Sequence, residues 1–306
     1  MPKSRRSRSD NGPVVGVLGL LTAAVLLGHT LIPDAGGYVS LFETFLPWLW
    51  VAIAMLLIAA LVVRRSAFAW IGVIAAATVW AVLFVPALLP RHEAGTVSLR
   101  VVSENIDADN HDPASTVNSL LKRDADLLAL QELDSASTPV AEKLLAPDYP
   151  YRYVVGTIGL WSKTPLHGGE PLSLGLGWNR ALSVDVSTGA GAVRVYEVHM
   201  ASVRPGEYQK RDTMLRSLAD VLDHSSAPRL LVVGDFNSAT TDREFRQLER
   251  SVHEAPTSTF GFGYTWPSAF PFARVDHVLT RGLTAVTSTV LPANGSDHRA
   301  IDVGLR

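Results

Sequence analysis

Arg229-Leu230-Leu231-Val232-Val233-Gly234-Asp235-Phe236-Asn237 is the stretch from which the rest of the chain can be read. Leu230 to Val233 is an apolar run too short for a helix and closed by glycine, so it reads as a buried strand. The strand delivers Asp235 and Asn237 at its end. Asp and Asn are common turn formers, so on their own they fit a bare turn as well as a site.

Working outward, the neighbouring segments have the same texture. Val97 to Val102 alternates like a strand, and Asp126 to Gln131 reads as a second buried strand. Residues 113–123 read as a helix, and Met214, Leu215, Leu218, Val221 and Leu222 form the apolar face of another. Ala181–Val186 and Val193–His199 flank a Ser-Thr-Gly-Ala-Gly turn, a hairpin pattern; Val275–Leu279 and Arg299–Val303 complete the strands. Strands alternating with helices, with at least one hairpin, predict an α/β domain with a mixed sheet.

The polar residues of note sit at strand ends. Asn105 follows the first strand, Gln131-Glu132 closes the second, and His199 ends the hairpin. Asp276-His277 lies in a later strand and Ser296-Asp297-His298 precedes the last. A sheet edge carrying Asn, Glu, Asp and two imidazoles can hold a hydrated cation. Hard oxygen donors favour Mg²⁺, with Mn²⁺ as the other candidate, and such ions bind substrate phosphate directly.

Taken in order, Asn105, Gln131-Glu132, Val198-His199, Gly234-Asp235-Phe236-Asn237, Thr265-Trp266-Pro267, Arg274-Val275-Asp276-His277 and Ser296-Asp297-His298 resemble the endonuclease/exonuclease/phosphatase superfamily of DNase I-like enzymes. The resemblance spans nearly all of residues 97–306. It implies a four-layer α/β/β/α sandwich of two packed sheets with the site at one rim. It also implies roles: Glu132 as the main metal ligand, helped by Asn105 and Asp297; Asp235 orienting or deprotonating the attacking water; Asn237 fixing Asp235 and a phosphate oxygen. His298 would contact the scissile phosphate, Asp276 would hold its tautomer, and His199 would bind phosphate from the other side.

The pattern is departed from at Ser103-Glu104-Asn105, where an aromatic commonly precedes the Asn, and in the short stretch from Tyr149 to Leu166. Trp266 reads as packing, His277 as a structural neighbour of Asp276, and His92, His111, His167, His224 and His253 as surface residues. Arg180, Arg204 and Arg211 stand near the motifs, and guanidiniums of this kind can clamp a second phosphate. Arg204 and Arg180 are carried forward as phosphate candidates, although the plain reading of Arg180 and Arg211 is solvated surface charge.

The other end of the chain has a different composition. Between Pro13 and Pro90 the charged residues are Asp34, Glu43, Arg64 and Arg65 alone. Residues 14–32, 45–63 and 67–89 are apolar stretches of about the 20 residues that a bilayer requires. Lys3, Arg5, Arg6 and Arg8 precede the first, Arg64-Arg65 separate the second from the third, and the loop at 33–44 has no basic residue. The positive-inside rule then puts the N-terminus in the cytoplasm and everything after Leu89 outside. The expected organisation is a basic cytoplasmic N-terminus (1–12), a three-helix transmembrane anchor (13–90) and a catalytic domain (91–306).

From Arg91 onward there are 21 Lys and Arg against 26 Asp and Glu, a formal −5, which gives little support to generic nucleic-acid binding. Absence of cysteine excludes disulfides, thiolate nucleophiles and thiolate metal sites. Three spans before such a domain resemble a membrane-anchored bacterial branch that includes vancomycin/teicoplanin resistance proteins. That resemblance implies a metal-dependent phosphoesterase of the cell envelope, multi-pass in a bacterial plasma membrane. Its partners would be the lipid bilayer and a phosphorylated envelope substrate such as a prenyl pyrophosphate. An extracytoplasmic nuclease and a non-catalytic phosphate sensor are the alternatives.

Overall fold

The computed structural model describes residues 11–189, 191–204 and 208–306; the basic residues of the N-terminus lie outside these. Contacts divide the chain into two compact units. One takes in the described residues up to Pro33 together with Phe45–Pro86, and the other Asp34–Thr44 with Ala87–Arg306. The stretch 34–44, which the sequence places between two spans, therefore makes its contacts with the globular unit.

In the first unit, α1 (Gly12–Gly28), α3 (Leu49–Val63) and α4 (Ala67–Leu88) are nearly uniform in apolar character around their circumference. With their flanking turns they give three segments long and apolar enough to cross a membrane: Gly12–Leu31, Leu46–Val63 and Ala67–Leu88, of mean hydropathy 2.1, 2.6 and 2.3. α1 meets α4 through glycines. A Cβ on Gly19 would lie 2.3 Å from the carbonyl carbon of Gly72, and one on Gly72 2.2 Å from the oxygen of Gly16. Small residues let the backbones approach this closely, and in lipid such van der Waals contact is a main source of helix association.

The globular unit is built from two six-stranded sheets. The first has the order β11-β12-β1-β2-β4-β3, where β1 is Leu99–Asn105, β2 Leu127–Gln131, β3 Tyr151–Val155, β4 Ile158–Ser162, β11 Ala285–Val290 and β12 Ile301–Leu305. The second has the order β5-β6-β7-β8-β10-β9, where β5 is Leu166–Leu172, β6 Ala181–Thr188, β7 Gly191–His199, β8 Leu230–Asp235, β9 His253–Glu254 and β10 Asp276–Arg281. Each sheet holds one parallel pair, β1 with β2 and β7 with β8, among antiparallel neighbours.

Side-chain alternation assigns the layers. Val101, Leu127, Ala129, Val184, Val195, Leu231, Val233 and Val303 pack together between the sheets. Leu230 and Val232 point the other way, against Met214, Leu215, Leu218 and Leu222 of α7 (Tyr208–His224). Val102, Leu128 and Leu130 likewise back onto Val117 and Leu120 of α5 (Pro113–Leu121) and Ala141 and Leu145 of α6 (Ser137–Leu145). The result is the four-layer α/β/β/α sandwich. β8 is buried throughout, and its Leu230–Val233 run is apolar because both of its faces are covered.

Local chemistry fixes the ends of these elements. Asp112 caps α5 by accepting from the Ser115 N–H, and Pro113 occupies the first turn. Gly234, at φ 138, lets β8 approach β7; a Cβ there would stand 2.0 Å from the Val198 oxygen. Between the sheets lies a buried polar group, in which Gln131 Nε2 donates to Glu197 Oε1 at 3.0 Å.

Candidate active site

Strand register gathers the site. In the second sheet His199 is level with Asp235 across the parallel pair, and Asp276 is level with Asp235 across the antiparallel pair. In the first sheet Asn105 is level with Gln131, so Glu132 emerges at the same edge. The loop before β12 brings Asp297 and His298, tied down where Ser296 Oγ donates to the Asn105 carbonyl at 2.6 Å and accepts from the His298 N–H at 2.9 Å.

Asp235 is fully buried. Its Oδ1 accepts from the Asn237 N–H at 2.8 Å, and its Oδ2 from Asn105 Nδ2 at 3.0 Å and Asn237 Nδ2 at 3.2 Å. Burial, with Asp276 adding to it, raises its pKa despite the opposing pull of His298 and His199. A carboxylate held by three donors yet made more basic by its surroundings suits proton acceptance from water. Asn237 also donates to the Met200 carbonyl at 3.0 Å, and it sits at φ 47.

His298 is braced from behind, with Nδ1 2.9 Å from Asp276 Oδ2. Its Nε2 faces the open side, 4.0 Å from Asp235 Oδ2 and 3.9 Å from Asp297 Oδ1. Burial alone would lower its pKa, but Asp276 and Asp235 outweigh that and hold it at about 10. The ring is therefore a cationic donor aimed at the space between the carboxylates.

On the other flank, His199 Nε2 lies 3.3 Å from Glu132 Oε1. Arg180 Nη2 lies 2.7 Å from both ring nitrogens. A guanidinium only donates, so Nδ1 takes the Arg180 hydrogen bond and Nε2–H is left for Glu132. The His199 hydrogen bond is the largest influence on Glu132, and together with donation from Asn105 and the Ala108 N–H it holds the carboxyl down to about 2. Glu132 also sits at φ 59, a backbone region that a residue with a long side chain seldom adopts. Strain of this kind is retained where the surroundings impose it, commonly at functional sites.

Glu132, His199 and Asp235 form one cluster whose ligand atoms lie within 4.8 Å of one another, and Asp235, Asp276 and His298 form another. Asp297 stands outside both, exposed, accepting from Trp266 Nε1 at 3.1 Å through Oδ2. Burial is the largest cause of its raised pKa, and the carboxylates of Asp107 and Glu132 add to it. Asp107 and Glu132 thus both bear on Asp297 at the mouth of the site, and carboxylate oxygens of this kind fit a hard divalent cation. Asn105 presents its amide nitrogen to Asp235, while its oxygen accepts from the Asp107 N–H at 3.0 Å.

The arginines differ from their plain reading. Arg180 is half-buried at the site, with its guanidinium over the exposed Trp178 ring at 5.0 Å. Arg211 is fully buried and ion-paired, not a surface charge. Arg204 is exposed on the loop after β7. His277 is buried, with Nε2 donating to the Ser238 carbonyl at 2.8 Å and Nδ1 facing Glu254. The five remaining surface histidines of the globular unit are exposed.

Sequence reasoning missed two contributors. Trp266 is a hydrogen-bond donor to Asp297 as well as a packed ring. Glu104, at the position where the motif departs from pattern, is fully buried; burial pushes its carboxyl up to about 8, and Asn294 Nδ2 donates to it at 2.9 Å. Its signal was a carboxylate inside an otherwise apolar strand.

No curated protein matches the sequence. Solved structures share the fold at low identity. A humanised TDP2 from D. rerio superposes with a TM-score of 0.60 at 18% identity, covering 69% of this chain and 100% of its own. The endonuclease/exonuclease/phosphatase from Beutenbergia cavernae gives 0.56 at 21%, covering 69% and 72%. Sphingomyelinase C from Streptomyces griseocarneus gives 0.52 at 17%, covering 68% and 99%. With the family's sequence profile matching residues 102–298, well over half its length, the chain belongs to the endonuclease/exonuclease/phosphatase family.

Proposed function

We infer that the protein is a membrane-anchored, divalent-metal-dependent phosphoesterase that acts at the outer face of a bacterial plasma membrane on a lipid-linked or other envelope phosphoester or pyrophosphate. The observation that carries this reading is the convergence of a basic buried carboxylate, Asp235, and a cationic imidazole, His298, on one gap beside an acidic mouth. Phosphoryl transfer needs an aligned nucleophile and charge stabilisation more than covalent help.

In this gap Asp235 takes a proton from water as its oxygen bonds to phosphorus, and the P–O bond to the leaving group breaks. Nε2–H of His298 donates to the phosphoryl oxygen where negative charge builds. Glu132 and Asp297 are the residues that would hold Mg²⁺, or Mn²⁺ in its place, and the ion would neutralise phosphate charge. Arg180, beside His199, is suited to a second phosphate, which favours a pyrophosphate.

The three apolar helices support the membrane half of the reading, and Arg64-Arg65 with the basic N-terminus support the outward orientation. Tethering holds the site near lipid headgroups and raises their effective concentration. Together these features agree with the resemblance to glycopeptide-resistance membrane proteins.

The test is an assay of the full-length chain in detergent micelles for Mg²⁺-dependent phosphate release from a prenyl pyrophosphate, run beside plasmid DNA cleavage. Asp235→Asn and His298→Ala serve as controls. Turnover of the lipid alone, lost in both variants, is expected. DNA cleavage lost in both would keep the site and make the protein a nuclease, while Mg²⁺ binding without turnover of either would favour a phosphate sensor.

A further inference from the structure

The stretch 34–44 joins the first two apolar helices, yet its polar groups are spent on the catalytic unit. Asp34 organises the stretch itself, accepting from the Val39 N–H at 3.0 Å, the Ser40 N–H at 3.2 Å and Ser40 Oγ at 2.7 Å. These bonds close the first turn of α2 (Tyr38–Thr44). Gly37, at φ 83, lies against Tyr208, where a Cβ would come within 2.9 Å of the side chain, and the Tyr208 hydroxyl donates to the Asp34 carbonyl at 3.2 Å.

Two side chains of this segment then reach one loop, Glu43 directly and Ser40 through the buried Arg211. Glu43 is fully buried; its carboxylate accepts from Arg243 Nη2 at 2.8 Å and from the Arg243 N–H at 3.1 Å. Its carbonyl accepts from Thr241 Oγ1 at 2.6 Å. Ser40 Oγ accepts from Nη2 of the buried Arg211 at 3.0 Å, and Nη1 of that arginine donates to Ser238 Oγ at 3.0 Å. Asp242 Oδ2 lies 2.9 Å from the same Nη1 but out of line for a hydrogen bond. Ser238 to Arg243 is the chain that leaves Asp235-Phe236-Asn237, so its first residue is covalently joined to Asn237.

Resting on the phosphoesterase reading, we propose that Glu43 and Ser40 are positioning residues that clamp the 238–243 loop, and through it Asp235 and Asn237, so that the site is completed by the segment between the first two apolar helices. A buried carboxylate that accepts from the N–H, Nε and Nη2 of Arg243 is sustained only while these donors are present, and removing it takes away the acceptor to which the Arg243 side chain and N–H are both held. Asn237 already holds a left-handed backbone at φ 47, so a loosened loop has a ready way to relax, and with it goes the N–H that Asn237 gives Asp235. The 34–44 segment is on this account part of the catalytic apparatus and more than a connection between two apolar helices.

The experiment uses full-length protein in detergent micelles, with Glu43→Gln and the milder Ser40→Ala. Two quantities are read: amide hydrogen exchange by mass spectrometry over 236–243, and Mg²⁺-dependent hydrolysis of bis(4-nitrophenyl) phosphate. Exchange over 236–243 is expected to rise tenfold or more in Glu43→Gln and less in Ser40→Ala, with β1, β2 and β12 unchanged. kcat should fall in step, by tenfold or more in Glu43→Gln, with KM within twofold of wild type. Wild-type exchange and kcat in both variants would overturn the proposal. So would exchange rising equally in β1, β2 and β12, because Glu43 would then hold the fold and not the loop. Exchange needs no substrate: a loop that loosens in a protein whose wild type turns over no phosphoester sinks the function and leaves the clamp standing.

Discussion

The two halves of the site are built differently. On the β8–β10 side Asp235, Asp276 and His298 are buried and hydrogen-bonded to one another or to Asn105 and Asn237; strand register fixes the two aspartates, and Ser296 ties down the loop that carries His298. On the opposite side Glu132 is partly open and Asp297 is exposed, and Asp297 feels the like charge of both Glu132 and Asp107. Protein groups supply most of the first half's hydrogen bonds, with Asp276 Oδ1 left buried without one. The second gathers like charge on carboxylates that stay partly open, a setting that suits a divalent cation. On the proposed function the labour divides accordingly: the buried half would set proton transfer and charge stabilisation in advance, and the open half would hold the metal.

That comparison can be broken at several points. The largest effect is expected at Asp235. Asp235→Asn keeps the shape but removes the proton acceptor, so kcat should fall by about 10³-fold or more without a change in the Mg²⁺ needed. Steady-state rates across a Mg²⁺ titration check this; a loss recovered by more Mg²⁺ would put Asp235 on the metal side. Arg180→Ala should cost about 10- to 100-fold in kcat/KM for a pyrophosphate and clearly less for a monoester, which paired assays of the two substrates would show. Equal losses on both would tie Arg180 to His199 alone.

A third prediction concerns stability. Burial is the main cause that pushes the Glu197 carboxyl from its ordinary 4.5 up to about 8. Between those values the folded chain binds a proton that the unfolded chain does not, so stability is full below about pH 4.5, declines as pH rises through the window, and levels off above 8. Glu197→Gln keeps the acceptor for Gln131 and removes this slope. At pH 8 it should be more stable than wild type by a few kcal/mol, on the order of 1.4 kcal/mol per pKa unit. Denaturant unfolding of the full-length chain at pH 5 and pH 8 reads the difference, which should vanish at the lower pH. The smallest effect is expected for Trp266→Phe, which deletes one donor to Asp297 and should change the Mg²⁺ requirement by about two- to fivefold with kcat nearly intact.

Much of this arrangement was legible in the sequence for physical reasons that differ by residue. β8 could be read because burial on both faces demands an unbroken apolar run, and the motifs at its end and at Asp276 and His298 mark where strands reach a common edge. The helical face of α7 followed from its spacing. β3 and β5 were not foreseen, because these sheet-edge strands are largely exposed and show no alternation. Arg211 reads as surface charge in the sequence, and Arg180 is a phosphate candidate only by its place near a motif, since composition cannot tell a guanidinium in water from one enclosed, as Arg211 is, by Asp242 and Ser238. Residues 34–44 looked like a loop between two spans, and nothing local reveals that Glu43 meets Arg243, two hundred residues away.

The most direct test is a Mg²⁺ titration of activity in full-length Glu132→Gln and Asp276→Asn against wild type on one substrate. The account predicts that Glu132→Gln raises the half-saturating Mg²⁺ concentration by about 10- to 100-fold, with much of kcat recovered at saturation. Asp276→Asn should leave that concentration unchanged and lower kcat by about 100-fold, having lost the brace on His298. If both variants shifted the Mg²⁺ requirement alike, or neither did, the division between a buried chemical half and an open metal half would be contradicted.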